Sequence, residues 1–213
     1  MTYIVEDPIL NESTDLLGQQ MGETIDEITR DVLAGTASVT NCSNGVNGST
    51  PTELTYDDIQ GVVKTLMGQS AKMFIPKIEG VNKFGTSPVR AAYWAMADTD
   101  ILDDLEDIDE FISVANYPNS AGIADSEWGS VGNTRWLLSP IGYVSSSTYS
   151  CFIVGRDAYG VSEISEGIAG NIYHPLGHGD DPLEQRSTMG WKTYYAARIL
   201  NDNFMVNLKT THS

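Results

Sequence analysis

The feature that most constrains the fold is a long amphipathic segment near the start of the chain. Between residues 7 and about 33, apolar residues recur at steps of three and four positions: Leu10, Leu17, Met21, Ile25, Ile28 and Val32. That spacing places them on one face of a helix. Pro8 suits a first helical turn, and Gly35 suits the position after the last turn. The segment therefore predicts one long helix.

Two glycines within this helix occupy positions where glycine is destabilising. Gly18 and Gly22 lie one turn apart on one face. Each costs about 1 kcal/mol relative to alanine in a helix interior. A close approach of another backbone would account for both glycines, so we expect a packing partner along this face.

The order of the later segments indicates the fold class. Residues 36–52 are rich in Ser, Thr, Asn and Gly, which predicts an exposed loop. Thr55 or Asp57 then caps a second helix, whose apolar residues are Ile59, Val62, Val63, Leu66 and Met67. Strand-like segments follow at residues 89–97, 136–144 and 149–154, and residues 191–208 hold two apolar blocks separated by N-D-N at residues 201–203. Two helices followed mainly by strands indicate an α+β protein.

A strongly acidic segment lies between these elements. Residues 98–110 hold eight carboxylates and no basic residue. An EF-hand calcium loop needs glycine at its sixth position, where a loop that starts at Asp98 has Asp103. We therefore expect a solvated helix with these apolar residues turned inward: Ile101, Leu102, Leu105 and Ile108. A calcium-sensitive binding module is an alternative hypothesis for the segment.

The charge and cysteine content exclude several classes of function. Twelve Lys and Arg against 29 Asp and Glu leave a formal net charge of −17. Because no basic cluster offsets this charge, binding to nucleic acid or to anionic lipid is disfavoured. Cys42 and Cys151 form neither a disulfide framework nor a zinc pattern, so we expect reduced thiols of an intracellular protein. No signal-peptide pattern and no run of 18 apolar residues occurs.

The candidate chemistry is confined to one histidine-containing segment. His174, His178 and Asp181 suggest a metal-dependent hydrolase as an alternative function, since zinc takes three or four such ligands. A proline and two glycines around the second histidine break any helix that would align the pair, so a turn with incidental histidines is the main interpretation. No nucleophile elbow, P-loop or dinucleotide-binding motif occurs. We therefore expect no enzymatic activity and no cofactor.

Several ordered motifs carry a family resemblance. An apolar strand runs into the turn Gly155-Arg156-Asp157-Ala158-Tyr159-Gly160. It is followed by Asp181-Pro182-Leu183-Glu184-Gln185-Arg186, by Gly190-Trp191-Lys192 and by A-R-I-L-N-D at residues 197–202. Near the start, D-P-I-L at residues 7–10 leads into L-L-G-Q-Q-M-G at residues 16–22. In this order and spacing the chain resembles the major capsid protein family of N-four-like tailed phages.

The resemblance implies a Hong-Kong-97-type capsid fold. That fold has a long spine helix, here residues 8–34, an elongated antiparallel sheet in a peripheral domain, and a compact α/β axial domain. The implied peripheral-type domain comprises residues 1–54 and 176–213, and the axial-type domain comprises residues 55–175. Residues 177–192 would then form a crossover between the domains.

By the same resemblance, the chain is a major capsid subunit. Its copies would self-associate into hexamers and pentamers of an icosahedral shell that encloses double-stranded phage DNA without sequence-specific binding. Scaffold or decoration proteins would be further partners, and the location would be the virion capsid after synthesis in the host cytoplasm. The alternative for the acidic segment then becomes a calcium-sensitive virion or surface-binding module.

The chain departs from the family pattern at its front. Members of the family have a leading segment that supplies an N-terminal arm and a long loop overlapping neighbouring subunits. Here Met1 comes just before the predicted spine helix. We therefore expect that the chain alone folds but assembles poorly, and closed shells formed by the purified chain would contradict this expectation.

Overall fold

The protein is an α+β chain, which confirms the predicted fold class. The computed structural model describes residues 9–74, 76–78, 88–118, 122–163, 170–179, 183, 185 and 187–212. The helices in these ranges are α1 (Ile9–Ala34), α2 (Tyr56–Gly68) and α3 (Leu102–Glu106). The strands are β1 (Val39–Asn41), β2 (Tyr93–Asp98), β3 (Phe111–Ser113), β4 (Glu127–Val131), β5 (Thr134–Ser139), β6 (Tyr143–Ser145), β7 (Thr148–Val154), β8 (Tyr159–Glu163), β9 (Gly170–His174), β10 (Thr188–Lys192), β11 (Tyr195–Ile199) and β12 (Met205–Thr210).

The long helix α1 confirms the prediction made from its apolar spacing. It extends over 26 residues. It ends where the Gly35 N–H donates to the Val32 carbonyl at 3.1 Å. Pro8, predicted to lie in its first turn, is outside the described residues. No helix formed by the described residues is long and apolar enough to cross a membrane.

The two helical glycines have open space around them. A Cβ built on Gly18 or on Gly22 meets no other atom within 4 Å in the described part of the chain. Both positions are exposed. The backbone partner expected along this face is therefore not among the described residues.

The region before α2 is less exposed than its composition predicts. Thr55 caps α2, as predicted, because its hydroxyl oxygen accepts a hydrogen bond from the Asp58 N–H at 3.4 Å. The buried Asp58 carboxylate accepts hydrogen bonds from the N–H groups of Ser43 at 2.9 Å and Gly45 at 2.7 Å. β1 pairs in parallel with β12. The prediction of an exposed loop therefore holds for most of residues 43–52, but not for residues 39–42, where pairing with β12 and the burial of Cys42 replace it.

The largest sheet has the order β1–β12–β7–β2–β5–β4–β3, and β6 also pairs with β7. β1 with β12 and β2 with β5 are parallel, and the other pairs are antiparallel. Because side chains alternate along a strand, β7 places Cys151 and Ile153 in one apolar cluster and Phe152 and Val154 in another. The first cluster includes buried residues of α2 and α3, and the second includes Leu33 of α1.

Two strand boundaries differ from the predictions. The segment predicted as one strand over residues 136–144 is two strands, β5 and β6. Gly142 stands in the turn between them, where an added Cβ would lie only 2.5 Å from the Asp98 Cβ. The strand predicted over residues 89–97 begins at Tyr93, and Val89 forms only an isolated bridge with Ile78. Close packing of the turn against Asp98 accounts for the split between β5 and β6.

The chain forms two compact units. Unit 1 comprises Met1–Thr29 and Val161–Ala197, and unit 2 comprises Arg30–Gly160 and Arg198–Ser213. Unit 2 holds the large sheet and all buried residues of the described ranges, whereas no described residue of unit 1 is buried. These limits do not coincide with the predicted domain limits at residues 54 and 175, and the assignment of peripheral and axial types stays a prediction.

Candidate functional site

The turn of the family signature, residues 155–160, follows the end of β7. The Gly155 N–H donates to the Phe204 carbonyl at 2.8 Å, and the Arg156 N–H donates to the Lys72 carbonyl at 2.8 Å. A Cβ added to Gly155 would lie 3.1 Å from the Phe204 carbonyl oxygen, which explains a glycine there. Asp157 has a φ of +65°, a left-handed conformation that short polar residues tolerate best after glycine.

The second half of the same turn is hydrogen-bonded to the segment that leads into β12. The carbonyl of the buried Ala158 accepts hydrogen bonds from the N–H groups of Leu200 at 2.9 Å and Asn201 at 3.0 Å. A Cβ on Gly160 would lie 3.1 Å from Leu200 Cδ1. Tyr159, the remaining member, begins β8. Two of the motifs are therefore brought together, and their contacts are structural hydrogen bonds.

The A-R-I-L-N-D segment is also tied to the end of α1 within unit 2. Asp202 Oδ1 accepts hydrogen bonds from Thr36 Oγ1 at 2.8 Å and from the Ala37 N–H at 3.1 Å. Asn201 Oδ1 accepts a hydrogen bond from the Asn203 N–H at 3.0 Å. These hydrogen bonds position the start of β12, which is an interior strand of the sheet.

The other two motifs lie in unit 1. Asp181, Pro182 and Arg186 are outside the described residues, and Gln185 is exposed. Gly190, Trp191 and Lys192 form the end of β10, where they pair with Ile172, Asn171 and Gly170 of β9. The Lys192 ammonium lies 4.9 Å from the centre of the Tyr194 ring. A hydrogen bond to Tyr194 raises the pKa of Lys192.

The two histidines do not form a metal site. The rings of His174 and His178 stack 4.1 Å apart and are inclined by only 5°. A metal-binding lone pair lies in the plane of its imidazole ring, so stacked rings direct their lone pairs along parallel planes instead of toward one ion. Asp181 is outside the described residues, which contain no group of three or more metal-ligating side chains. The geometry favours the turn interpretation.

The acidic segment is largely helical. Asp98 accepts a hydrogen bond from the Asp100 N–H at 3.0 Å, and a 3-10 turn over Thr99–Ile101 leads into α3. Ile101 and Leu105 are fully buried and Ile108, just beyond α3, is 9% exposed, as predicted, whereas Leu102 is only half-buried. Because the backbone is helical here, its carboxylates do not wrap around a central point as in a calcium loop.

A buried charged cluster was missed by the sequence predictions. Arg135 Nε and Glu127 Oε1 lie 3.0 Å apart, and neither side chain is exposed. Tyr117 donates to Glu127 Oε1 at 2.9 Å, and Arg135 donates to the Gly122 carbonyl at 3.2 Å. The guanidinium also lies 5.2 Å from the Tyr117 ring centre. The sequence feature that could have predicted this cluster is a single arginine inside an apolar strand.

The buried tyrosine and the two buried cysteines stay in their neutral forms, in which they pack or donate hydrogen bonds. Burial raises the pKa of Tyr117 to about 12, so the phenol remains a hydrogen-bond donor to Glu127. Cys42 and Cys151 are buried free thiols. Burial raises the pKa of Cys42 to about 12, which disfavours the nucleophilic thiolate.

Solved structures share this fold. The capsid of Ralstonia phage GP4 matches with a TM-score of 0.62 at 14% identity, over 96% of this chain and 68% of that chain. The encapsulin of the holo-SrpI complex from Synechococcus elongatus matches with a TM-score of 0.60 at 10% identity, over 97% and 67%. A chain of Mycobacterium phage Che8 matches with a TM-score of 0.60 at 11% identity, over 93% and 62%.

These likenesses show that the protein has the Hong-Kong-97-type fold of phage capsid and encapsulin proteins. The chain spans between 62% and 68% of the lengths of these three proteins. Compared by sequence, it matches no protein-family model and no curated protein.

Proposed function

We propose that the protein is a structural subunit of a phage capsid shell. The observation that carries the proposal is the fold, which a phage capsid protein and an encapsulin share over 96% and 97% of this chain. Together with the ordered motifs, the fold supports a major capsid protein of the N-four-like type. Such a subunit forms hexamers and pentamers of an icosahedral virion shell, and scaffold or decoration proteins are further partners.

We assign unit 1 to the peripheral-type domain and unit 2 to the axial-type domain. Unit 1 contains residues 9–29 of the long helix and the β9–β10 pair, as expected for a peripheral domain. Unit 2 contains α2, α3 and the largest sheet, as expected for a compact axial domain.

The surface of unit 1 supports association with other copies. Its described residues include exposed large apolar side chains: Leu16, Ile28, Val161, Ile172, Tyr173, Leu176, Leu183 and Tyr194. These are eight of the fifteen exposed large apolar side chains of the described residues, although unit 1 is the smaller unit, and exposed apolar surface of this kind is available for contact with other protein surfaces. In an assembled shell, each copy covers its neighbours by the same repeated contacts.

The charge predicts how such an assembly depends on salt. A net charge of −17 makes copies repel each other at low ionic strength. Salt screens this repulsion over roughly 10 Å at 0.1 M. An acidic shell encloses DNA without gripping it through a basic groove, in agreement with the lack of sequence-specific DNA binding in the proposal.

Size-exclusion chromatography with light scattering, at low and high salt, tests the proposal. We expect species of pentamer or hexamer mass whose share increases with salt and protein concentration, seen as rings in micrographs. A strict monomer under every condition would contradict the proposal. Closed shells would support it and contradict only the expectation that this chain assembles poorly.

The proposed role requires no catalysis. The hydrolase alternative needs a third ligand beside two histidines whose stacked rings do not converge on one ion. The calcium alternative needs a loop where the chain is helical. Tightly bound zinc in stoichiometric amount in the purified protein would revive the first alternative, and a melting temperature that rises with calcium would revive the second.

A further inference from the structure

The end of β12 is held to the rest of unit 2 by two kinds of contact. β12 lies between β1 and β7 in the large sheet. Just beyond the strand, the Thr211 N–H donates to the Thr52 carbonyl at 3.1 Å, and Thr210 Oγ1 donates to the same carbonyl at 3.0 Å. The next side chain, His212, reaches α3 instead of continuing this pattern.

His212 makes a close polar contact with α3. Its Nδ1 lies 3.0 Å from Asp104 Oδ1, and the two side chains are 29% and 13% exposed. The ring meets Tyr149 of β7 edge-on, with centroids 6.5 Å apart. Tyr149 in turn donates a hydrogen bond to Asp100 Oδ2 at 3.0 Å. Residues from α3, from β7 and from the 3-10 turn thus surround the end of β12.

The charges that act on this imidazole are all negative. They are Asp104, Asp103 and Asp100, and Glu53 acts on Asp104 from the loop before α2. Tyr149 is the titratable group that faces the ring. An imidazolium offsets the mutual repulsion of these carboxylates, whereas a neutral imidazole leaves it uncompensated.

We propose that His212 is a pH-sensitive strap: in its protonated form it ties the end of β12 to α3, and loss of the proton loosens this tie. The strap lies within one chain. Its behaviour therefore does not depend on whether copies of the protein associate, and it stands or falls separately from the shell function.

The direction of the pH dependence follows from the two partners. The hydrogen bond to Asp104 raises the pKa of His212 above 6.5, so its stabilising contribution is complete below pH 6.5 and is lost as pH rises through the raised value. Burial raises the pKa of Asp104, against the effect of its hydrogen bond to His212. This shift also lowers stability as pH rises, because burial disfavours the charged carboxylate, but its window begins at the usual carboxyl pKa of 3.8, below that of His212.

Melting temperatures of the full chain, measured from pH 5.5 to pH 8.5, test the strap. We expect His212→Gln to lower the melting temperature by about 2 °C at pH 5.5 and to have no effect at pH 8.5, a size typical of one partly exposed pair in a chain of this length. A proton NMR titration of the His212 ring should show a pKa above 6.5 that falls in Asp104→Asn.

Two further variants separate the strap from general effects. His178→Gln removes an exposed imidazole of unit 1 and is the control for the loss of a histidine outside this contact. The double variant His212→Gln/Asp104→Asn should show an interaction between the two changes at pH 5.5 that disappears at pH 8.5. An unchanged pH profile in His212→Gln, or equal interaction at both pH values, would overturn the proposal.

Discussion

Unit 1 and unit 2 contain similar local patterns but bury them to different degrees. In unit 2, α2 has Ile59 and Leu66 fully buried. In unit 1, the apolar face of residues 9–29 of α1 is at most half-buried, and Ile28 on that face is 44% exposed. Within the described residues the apolar core lies entirely in unit 2. Periodicity therefore shows which face of a helix is apolar, but not whether its partner surface belongs to the same chain.

The difference gives each unit a separate thermodynamic role. Unit 2 has the apolar core that a stable fold requires, and it also holds the buried ion pair of Arg135 and Glu127. By the proposed function, the apolar side chains of unit 1 gain their burial from neighbouring copies. Changes in unit 2 should therefore alter unfolding of the dissociated chain, whereas changes on unit 1 should alter association.

The largest expected effect comes from breaking the buried ion pair of unit 2. Arg135→Met leaves the Glu127 carboxylate buried without its partner, which should lower the free energy of unfolding by about 3–5 kcal/mol. Urea denaturation at low salt measures this. The double variant Arg135→Met/Glu127→Met removes both charges and should lose far less. A double variant as unstable as the single one would show that packing, not the unpaired charge, causes the loss.

A matched pair of leucines compares the two units directly. Leu66→Ala empties a fully buried position of α2 and should lower the free energy of unfolding by about 2–5 kcal/mol. Leu16→Ala, on the exposed face of α1, should change it by less than about 0.5 kcal/mol. Both are measured on the dissociated chain. If both variants lost the same free energy of unfolding, Leu16 would belong to a core of the monomer, and the contrast between the two units would be wrong.

The helical glycines give a smaller stability effect than the two core changes and separate folding from association. In the dissociated chain, Gly18→Ala and Gly22→Ala should each stabilise α1 by about 1 kcal/mol, since no described atom lies within 4 Å of the added methyl. If a neighbouring backbone packs there, the same changes should weaken association in light scattering. Gly68→Ala, also with open space but in unit 2, is the control. Unchanged association in both α1 variants would exclude that packing.

Much of the local structure was predictable from residue spacing. α1, the Thr55 cap of α2, and the buried Ile101 and Leu105 of the acidic segment follow from helical periodicity and capping. These features depend on interactions between residues within one or two helical turns. The split between β5 and β6 was missed because the turn at Gly142 packs against Asp98, which is distant in sequence.

The motifs singled out particular residues without revealing what those residues contact. Sequence reasoning singled out Gly155 and Ala158, but only the structure shows that their partners are the Phe204 carbonyl and the Leu200 N–H. The metal hypothesis for His174 and His178 was equally undecided, because sequence spacing does not specify the angle between two rings.

The sequence by itself determined the helices, the strand β7 and the acidic balance of the chain. The tertiary structure alone decided the parallel pairing of β1 with β12, the burial of Arg135 against Glu127 and the contact of His212 with Asp104. The reason is physical. Local order depends on neighbours along the chain, whereas the partner of a strand edge or a charge depends on which distant groups are brought close enough to replace water.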